Sequence, residues 1–313
     1  MIERETAMTV EEQGGRSSDI EHPSPPPGRD SRFTDFPRSP SDFPESALKE
    51  AALVIAGHGS TKNPDSRVPT LEHAETLRRR GIFAEVVTCF WMHSPSFREV
   101  LDLVKSRVVY IVPNFISEGY FTRTVIPREM GLAGRVTTRD GKTINYCDPA
   151  GSHPHMTELL MQEARAVAAG VASSETALIL VGHGTGRDAN SATAARVQAE
   201  RISATGCYGE VLAAYLEEPP RIAEWHKLTS KPNVVVVPFF LSDGLHSHQD
   251  IPVMLGLRDV PDEAGSRSQS FRGNPQELRG RRLYYGAAIG TDPGFAEILL
   301  DQVRSFQPSP ITS

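Results

Sequence analysis

Long apolar runs are what this chain most plainly lacks. No stretch approaches the roughly 18 to 20 consecutive apolar residues that a membrane-spanning helix requires. Cysteine is scarce too: Cys89, Cys147 and Cys207 are odd in number, widely spread and never in a CxxC pair. That pattern excludes a disulfide framework and gives no sign of a zinc or iron–sulfur centre. Cys89 and Cys207 lie near apolar segments and are expected as buried structural thiols. A global positive charge is also missing. With 33 basic and 39 acidic residues the net charge is −6, which argues against a nucleic-acid binder relying on a basic field. An anionic small molecule would need a local basic pocket instead. Met1 to Lys49 has no apolar core segment of a signal peptide, so a cytoplasmic location is expected.

What is present is unevenly distributed. Proline crowds the first segment at His22-Pro23-Ser24-Pro25-Pro26-Pro27-Gly28, with more at Pro37, Pro40 and Pro44. Such a composition buries too little apolar surface to offset the entropy of ordering, so residues 1–48 are expected to form a disordered tail. The alternative is a short arm packed through Phe33, Phe36 or Phe43.

The rest of the chain repeats itself. Leu53-Val54-Ile55-Ala56-Gly57-His58-Gly59-Ser60 returns 125 residues later as Leu178-Ile179-Leu180-Val181-Gly182-His183-Gly184-Thr185. Pro113 and Pro238, Gly119 and Gly244, Ile126-Pro127 and Ile251-Pro252 keep the same spacing. The closing motifs Gly151-Ser152-His153-Pro154 and Gly290-Thr291-Asp292-Pro293 lie 139 apart, so the second copy carries 14 extra residues. These are expected as a surface loop within Arg258–Arg282. Two modules follow, 49–172 and 173–313, each long enough to bury a core.

Within each copy, short apolar runs alternate with helical periodicity. Ala52–Ala56, Ala84–Phe90, Val108–Pro113 and Ile144–Asp148 read as strands. Leu71, Ala74 and Leu77 mark a helix, and a second is expected from Pro95 to Val104, capped by Ser94. The second copy repeats this with strands at Ala177–Val181, Glu210–Tyr215, Val234–Val237 and Leu283–Ile289, and helices near Ala192–Ile202 and after Pro220. The alternation predicts a parallel α/β sheet flanked by helices in each module.

Ligands of such sheets sit outside the carboxyl ends of the strands. His58 and His183 fall there, one residue beyond a strand glycine. The Gly-His-Gly turn could also cradle a phosphate on backbone amides, although it lacks the GxGxxG and GxxxxGK[ST] patterns. The copies differ where the segment after the third strand carries Phe121 and Arg123 in the first, His246 and His248 in the second. Two imidazoles on one cavity suit a divalent metal and accept protons near neutral pH. His248, two residues from His246, shares its face only in extended chain. Glu217 and Glu218, just beyond a strand, are either the completing carboxylates or solvated loop groups. Phe121 and Tyr120 either wall a conjugated ligand or pack between modules, and Arg123 is a candidate for an acid group. His93, which matches Glu218, and His153 and His155 read as surface or turn histidines.

These residues resemble the CbiX-type sirohydrochlorin chelatases, of the class II tetrapyrrole chelatases, over about residues 51–304. The carriers are the strand with Gly-His-Gly-Ser/Thr, Glu218-Pro219-Pro220, Pro-x-Phe-x-x-x-Gly, and Gly244-Leu245-His246 followed by Asp250-Ile251-Pro252. The resemblance implies two tandem flavodoxin-like modules around a cleft. It also implies a lyase that inserts cobalt or iron, as a divalent substrate, into sirohydrochlorin for cobalamin or siroheme biosynthesis. It maps the family's two histidines onto His183 and His246, with Glu217 or Glu218 aiding deprotonation. His58, Phe121 and Arg123 would contact the macrocycle, with Lys62, Arg187 and Arg221 further candidates for its carboxylates. No organic cofactor, nucleic acid or membrane partner is expected. A metal or tetrapyrrole carrier without turnover, and a phosphate-handling hydrolase using His183, are the alternatives.

Overall fold

The two Gly-His-Gly turns close the central strands of two five-stranded sheets. In the computed structural model, residues 45–61, 63–184, 189–259 and 273–308 are described; they belong to one compact unit, residues 40–313. The first sheet contains β1 (Ala51–Gly57), β2 (Glu85–Phe90), β3 (Val108–Pro113), β4 (Val136–Arg139) and β5 (Lys142–Tyr146), in the order β2-β1-β3-β5-β4. The second repeats it with β6 (Thr176–Gly182), β7 (Glu210–Tyr215), β8 (Asn233–Pro238), β9 (Gln276–Leu278) and β10 (Arg281–Tyr285), in the order β7-β6-β8-β10-β9. Every residue of β1 and of β6 is buried, as expected of central parallel strands covered on both faces. β1 lies between β2 and β3, and β6 between β7 and β8, so the chain reverses its direction of winding beside each central strand.

Four strands of each sheet are parallel, as the alternation predicts, but one edge strand of each is not. β4 pairs antiparallel with β5, and β9 with β10. The sequence did carry the signal. Asp140-Gly141 and Arg279-Gly280 are two-residue turns with both residues at positive φ (52° and 74° in each), the geometry that closes tight hairpins. The expected loop Arg258–Arg282 therefore contains β9 and the first residues of β10; its residues 260–272 lie outside those described.

Helix α1 (Glu45–Leu48) precedes β1. These four residues fall within the expected disordered tail, yet Leu48 is fully buried; residues 1–44 lie outside those described. Helix α2 (Val68–Arg80) buries Pro69, Thr70, His73, Ala74 and Leu77, one stripe at helical spacing, and ends at Gly81 with φ 61°. The helix expected at Pro95–Val104 shrinks to α3 (Val100–Leu103). The backbone of 95–96 is taken up beside β2, where Phe90 N–H donates to Pro95 O at 3.0 Å and Phe90 bridges Ser96. Helix α4 (Ile126–Met130) completes this half before β4. In the second half, α6 (Ala189–Ala204), α7 (Trp225–Leu228) and α8 (Ile251–Leu255) stand in the corresponding places.

The two closing helices exchange partners. Helix α5 (Met156–Val167) follows β5 in sequence but packs on β8 of the second sheet, while α9 (Phe295–Arg304) packs on β3 of the first. Polar contacts lock the exchange: Gln302 Nε2 donates to Pro149 O at 2.7 Å, and Ala287 N–H to Glu163 Oε1 at 3.3 Å. Each sequence module thus lends a helix to the other's core. Cys89 is buried as expected, but so is Cys147, whereas Cys207 is exposed. Cys207 follows the helix-ending Gly206, at φ 65°, where the chain leaves the surface of α6.

Candidate active site

The reversal between β6 and β8 places the ends of both strands beside one crevice, the position where open α/β sheets bind ligands. His183 follows β6 in a turn that only glycine fits. Gly184 has φ 65°, and a Cβ there would lie 2.4 Å from Tyr215 Cβ and 2.9 Å from Glu218 Cγ. In the first copy Gly59 has φ 68°, and its Cβ would meet His93 at 2.5 Å. His93 also accepts the Ser60 N–H at 3.3 Å. His93 and Glu218 therefore occupy matching places against the turn.

His246 stands on a wide turn after β8. Ile251 N–H donates to the carbonyl of His246 itself, five residues back, and the proline that follows has no N–H to continue a tighter ladder. The first copy builds the same π-turn from Phe121–Val125. A tyrosine from the last parallel strand ties each turn down: Tyr285 Oη donates to Ser247 O at 2.7 Å, Tyr146 Oη to Thr122 O at 2.6 Å.

These supports bring His183 and His246 together, with ring centroids 4.9 Å apart and planes at 88°. An ion bonded at about 2.1 Å to an imidazole nitrogen lies about 3.2 Å from the ring centre, so one ion shared by rings at this separation subtends an angle of about 100°, near tetrahedral. His246 Nδ1 lies 2.6 Å from Asp250 Oδ2. A carboxylate only accepts, so Nδ1 is the donor, and in the neutral ring Nε2 is the nitrogen left to bind a metal. Nδ1 of His183 is buried without a hydrogen bond; Glu217 Oε1 is 3.7 Å away. Partial burial, and then the neighbouring His246, push the His183 pKa below the ordinary histidine value, against the opposing pull of Glu217 and Asp250. The ring is thus neutral at neutral pH, the form that binds metal.

Asp250 belongs to a motif visible in the sequence but had no role assigned. Its signal was the i,i+4 spacing from His246, and the fact that both change together: the first copy has Phe121 and Val125 there. Glu217 borders His183, whereas Glu218 packs over Gly184. His248 is buried, 7% exposed, inside the π-turn while His246 faces out.

In the first copy His58 meets Phe121 instead, with centroids 4.6 Å apart. Trp91 and Phe115 lie 6.0 and 5.9 Å from Phe121, so this copy offers an aromatic group where the second offers nitrogen. Tyr120, 62% exposed, stands beside it. Arg123 does not join the group: it pairs with Glu118 at 2.7 Å and lines a 370 Å³ cavity with Arg135, Tyr146 and Asp148. Arg221 begins the segment that bridges back to Tyr215. Lys62 and Arg187 lie outside the described residues. His153 lies in the turn before α5 but is buried there, and burial lowers its pKa to about 4.

The CbiX family model matches residues 52–167 and 177–306, one match on each copy and most of the chain between them. The chain belongs to the CbiX family. A "probable sirohydrochlorin cobaltochelatase" of Halobacterium salinarum is 40% identical over 269 residues, covering 80% of this chain and 90% of that protein. Among solved structures, DR2241 of Deinococcus radiodurans, described as a multi-domain protein with structural similarity to chelatases, superposes with a TM-score of 0.67 at 28% identity. It covers 80% of this CbiX chain, which spans about half, 54%, of DR2241. SirB from Bacillus subtilis with Fe3+ gives a TM-score of 0.63 at 17% identity, over 81% of this chain and 94% of that one, a likeness of fold. No helix among the described residues is long and apolar enough to cross a membrane.

Proposed function

We propose that this protein is a sirohydrochlorin chelatase, a lyase that inserts a divalent metal, cobalt or iron, into the tetrapyrrole for cobalamin or siroheme biosynthesis. The observation that carries the proposal is the pairing of His183 with His246 beside two carboxylates, on a chain 40% identical to a cobaltochelatase-named relative over most of its length. Metal insertion demands two things of a protein. The ion must exchange water for ligands that release it again, and the two pyrrole N–H protons must leave. Two imidazoles and water hold an ion with fewer protein ligands than a closed structural site, which favours release. As the ion passes to the macrocycle, the freed imidazole nitrogens are bases of suitable strength for the departing protons, and Glu217 beside His183 can relay them outward. Asp250 holds the His246 proton on Nδ1 throughout. The His58–Phe121–Trp91 face supplies apolar surface against which a conjugated ring lies flat. No organic cofactor enters this scheme, and a cytoplasmic setting is part of the proposal.

The lowered His183 pKa has a consequence for pH. Protons compete with the metal for the His183 ring at a lower pH than for an ordinary histidine. The test is anaerobic absorbance with purified protein, sirohydrochlorin and Co2+ or Fe2+ in turn. Wild type shifts the macrocycle spectrum to that of the metallated product over many turnovers, while His183→Ala and His246→Ala remain at the spontaneous rate. One equivalent of product held without turnover would identify a carrier instead, and unchanged insertion in the double variant would overturn the assignment of the histidines.

A further inference from the structure

A second group of ligand-type side chains lies where the exchanged helices meet. Among the described residues, His153, His155 and Asp301 each offer one ligand atom, all within 4.8 Å of one another. His153 and His155 come from the turn that opens α5; Asp301 comes from α9. The His153 and His155 rings have centroids 4.8 Å apart at 71°, nearly the separation of His183 and His246. An ion about 3.2 Å from both centres would therefore subtend an angle of about 97°. His155 Nδ1 and Asp301 Oδ2 are 2.8 Å apart, close to the spacing of adjacent ligands on one ion with bonds of about 2.1 Å.

Comparison with the other copy separates what the fold needs from what is added. At the positions matching His153 and His155 the second copy has Asp292 and Gly294, and the position matching Asp301 is Gln162. There the Gly294 N–H donates to Asp292 Oδ1 at 2.7 Å; here the His155 N–H donates to His153 Nδ1 at 3.2 Å. Both turns thus have an acceptor at this position, an imidazole in one copy and a carboxylate in the other. The turn requires neither an imidazole at 155 nor a carboxylate at 301. Those two side chains come from different modules, are absent together from the matching site, and meet. The same kind of paired difference distinguishes His246 and Asp250 from Phe121 and Val125.

We propose that His153, His155 and Asp301 form a second divalent-metal site, a staple between the two exchanged helices that is separate from the His183–His246 pair. Two nitrogens and one carboxylate suit a borderline ion such as Zn2+, Co2+ or Ni2+. His153 surrenders its 3.2 Å hydrogen bond to bind, and the ion replaces the proton between His155 and Asp301. The ion bridges α5 and α9, so it binds only when both helices are docked and raises the stability of the docked state.

The experiment is a Zn2+ titration of the full chain carrying His183→Ala and His246→Ala, read by competition with a chromophoric chelator and by Tm. One Zn2+ per chain is expected, with a Zn2+-dependent rise in Tm. Adding His155→Gly or Asp301→Gln, the residues the other copy uses, is expected to weaken binding at least about tenfold and to remove the rise. Absence of Zn2+ binding in the His183→Ala/His246→Ala chain would overturn the proposal. So would binding that neither added substitution changes. Both replacements already occur at the matching turn and helix of the other copy, so each is compatible with the local fold. Chelatase activity in His155→Gly with His183 and His246 intact is expected to stay near wild type, which keeps this result distinct from that of the insertion site.

Discussion

Acid is expected to weaken this molecule through His73. This residue of α2 is 3% exposed; its Nε2 donates to Gly290 O at 2.8 Å, and its ring stacks on Phe295. Gly290 in turn donates to Phe240 O at 2.9 Å, and a Cβ there would lie 2.4 Å from the Leu241 backbone. His73 thereby braces the segment that leads from β8 to His246. Burial lowers its pKa from 6.5 to about 4, against a smaller opposing effect of the bond to Gly290. The folded protein holds the ring neutral, whereas the unfolded chain takes up a proton below pH 6.5, so stability falls as pH drops from 6.5 towards 4. Linkage gives a loss on the order of 2 kcal/mol between pH 7 and 4.5, approaching about 3 kcal/mol well below pH 4. The control is His73→Gln, because Gln198 occupies the matching position of α6 and does not titrate. Urea unfolding of both proteins at pH 7 and 4.5 separates this effect from every other acid-sensitive group, His153 included. The wild type is expected to lose roughly 2 kcal/mol more than the variant over that interval. Equal losses in the two proteins would refute the argument.

Three further outcomes follow from the geometry. Asp250→Asn turns the acceptor of the His246 Nδ1 proton into a group that can donate, and is expected to lower Co2+ affinity about 10- to 100-fold without shifting Tm, as measured by absorbance titration; unchanged affinity would remove Asp250 from the site. Gly184→Ala places a Cβ 2.4 Å from Tyr215 Cβ at φ 65°, so thermal unfolding should show a loss of about 1 to 3 kcal/mol, with slower insertion. Phe121→His places an imidazole opposite His58 with no carboxylate behind it, because Val125 is buried in the core where Asp250 is half-exposed, so it should add nothing to the Co2+ stoichiometry read by absorbance titration; a gain of one ion would mean that the acid does not matter.

The sequence by itself determined the repeat, the strand and helix alternation, and the mismatch that sets His183 and His246 apart from His58 and Phe121. These are local quantities: apolar runs, glycines forced by positive φ, and residue identities at a fixed offset. It even held the hairpins, in Asp140-Gly141 and Arg279-Gly280, though the short polar strands beside them, such as Val136–Arg139, show no apolar pattern. The shortened helix after Ser94 marks the opposite case. Its periodicity was present, but pairing of Pro95 and Ser96 with Phe90 claimed the backbone first.

Only the tertiary structure decided which module each closing helix covers. The apolar face of α5 fits either sheet equally in sequence terms, and the choice depends on contacts such as Gln302 with Pro149 that join residues about half the chain apart. The same long-range packing buries His73 and brings His155 to Asp301. It also fixes Asp250 Oδ2 at 2.6 Å from His246 Nδ1, on the turn that Tyr285 ties down from the last parallel strand. Chemistry-bearing residues were legible one by one from their types and spacing. Their protonation and partners were not, since these depend on burial and on neighbours that the chain order does not specify.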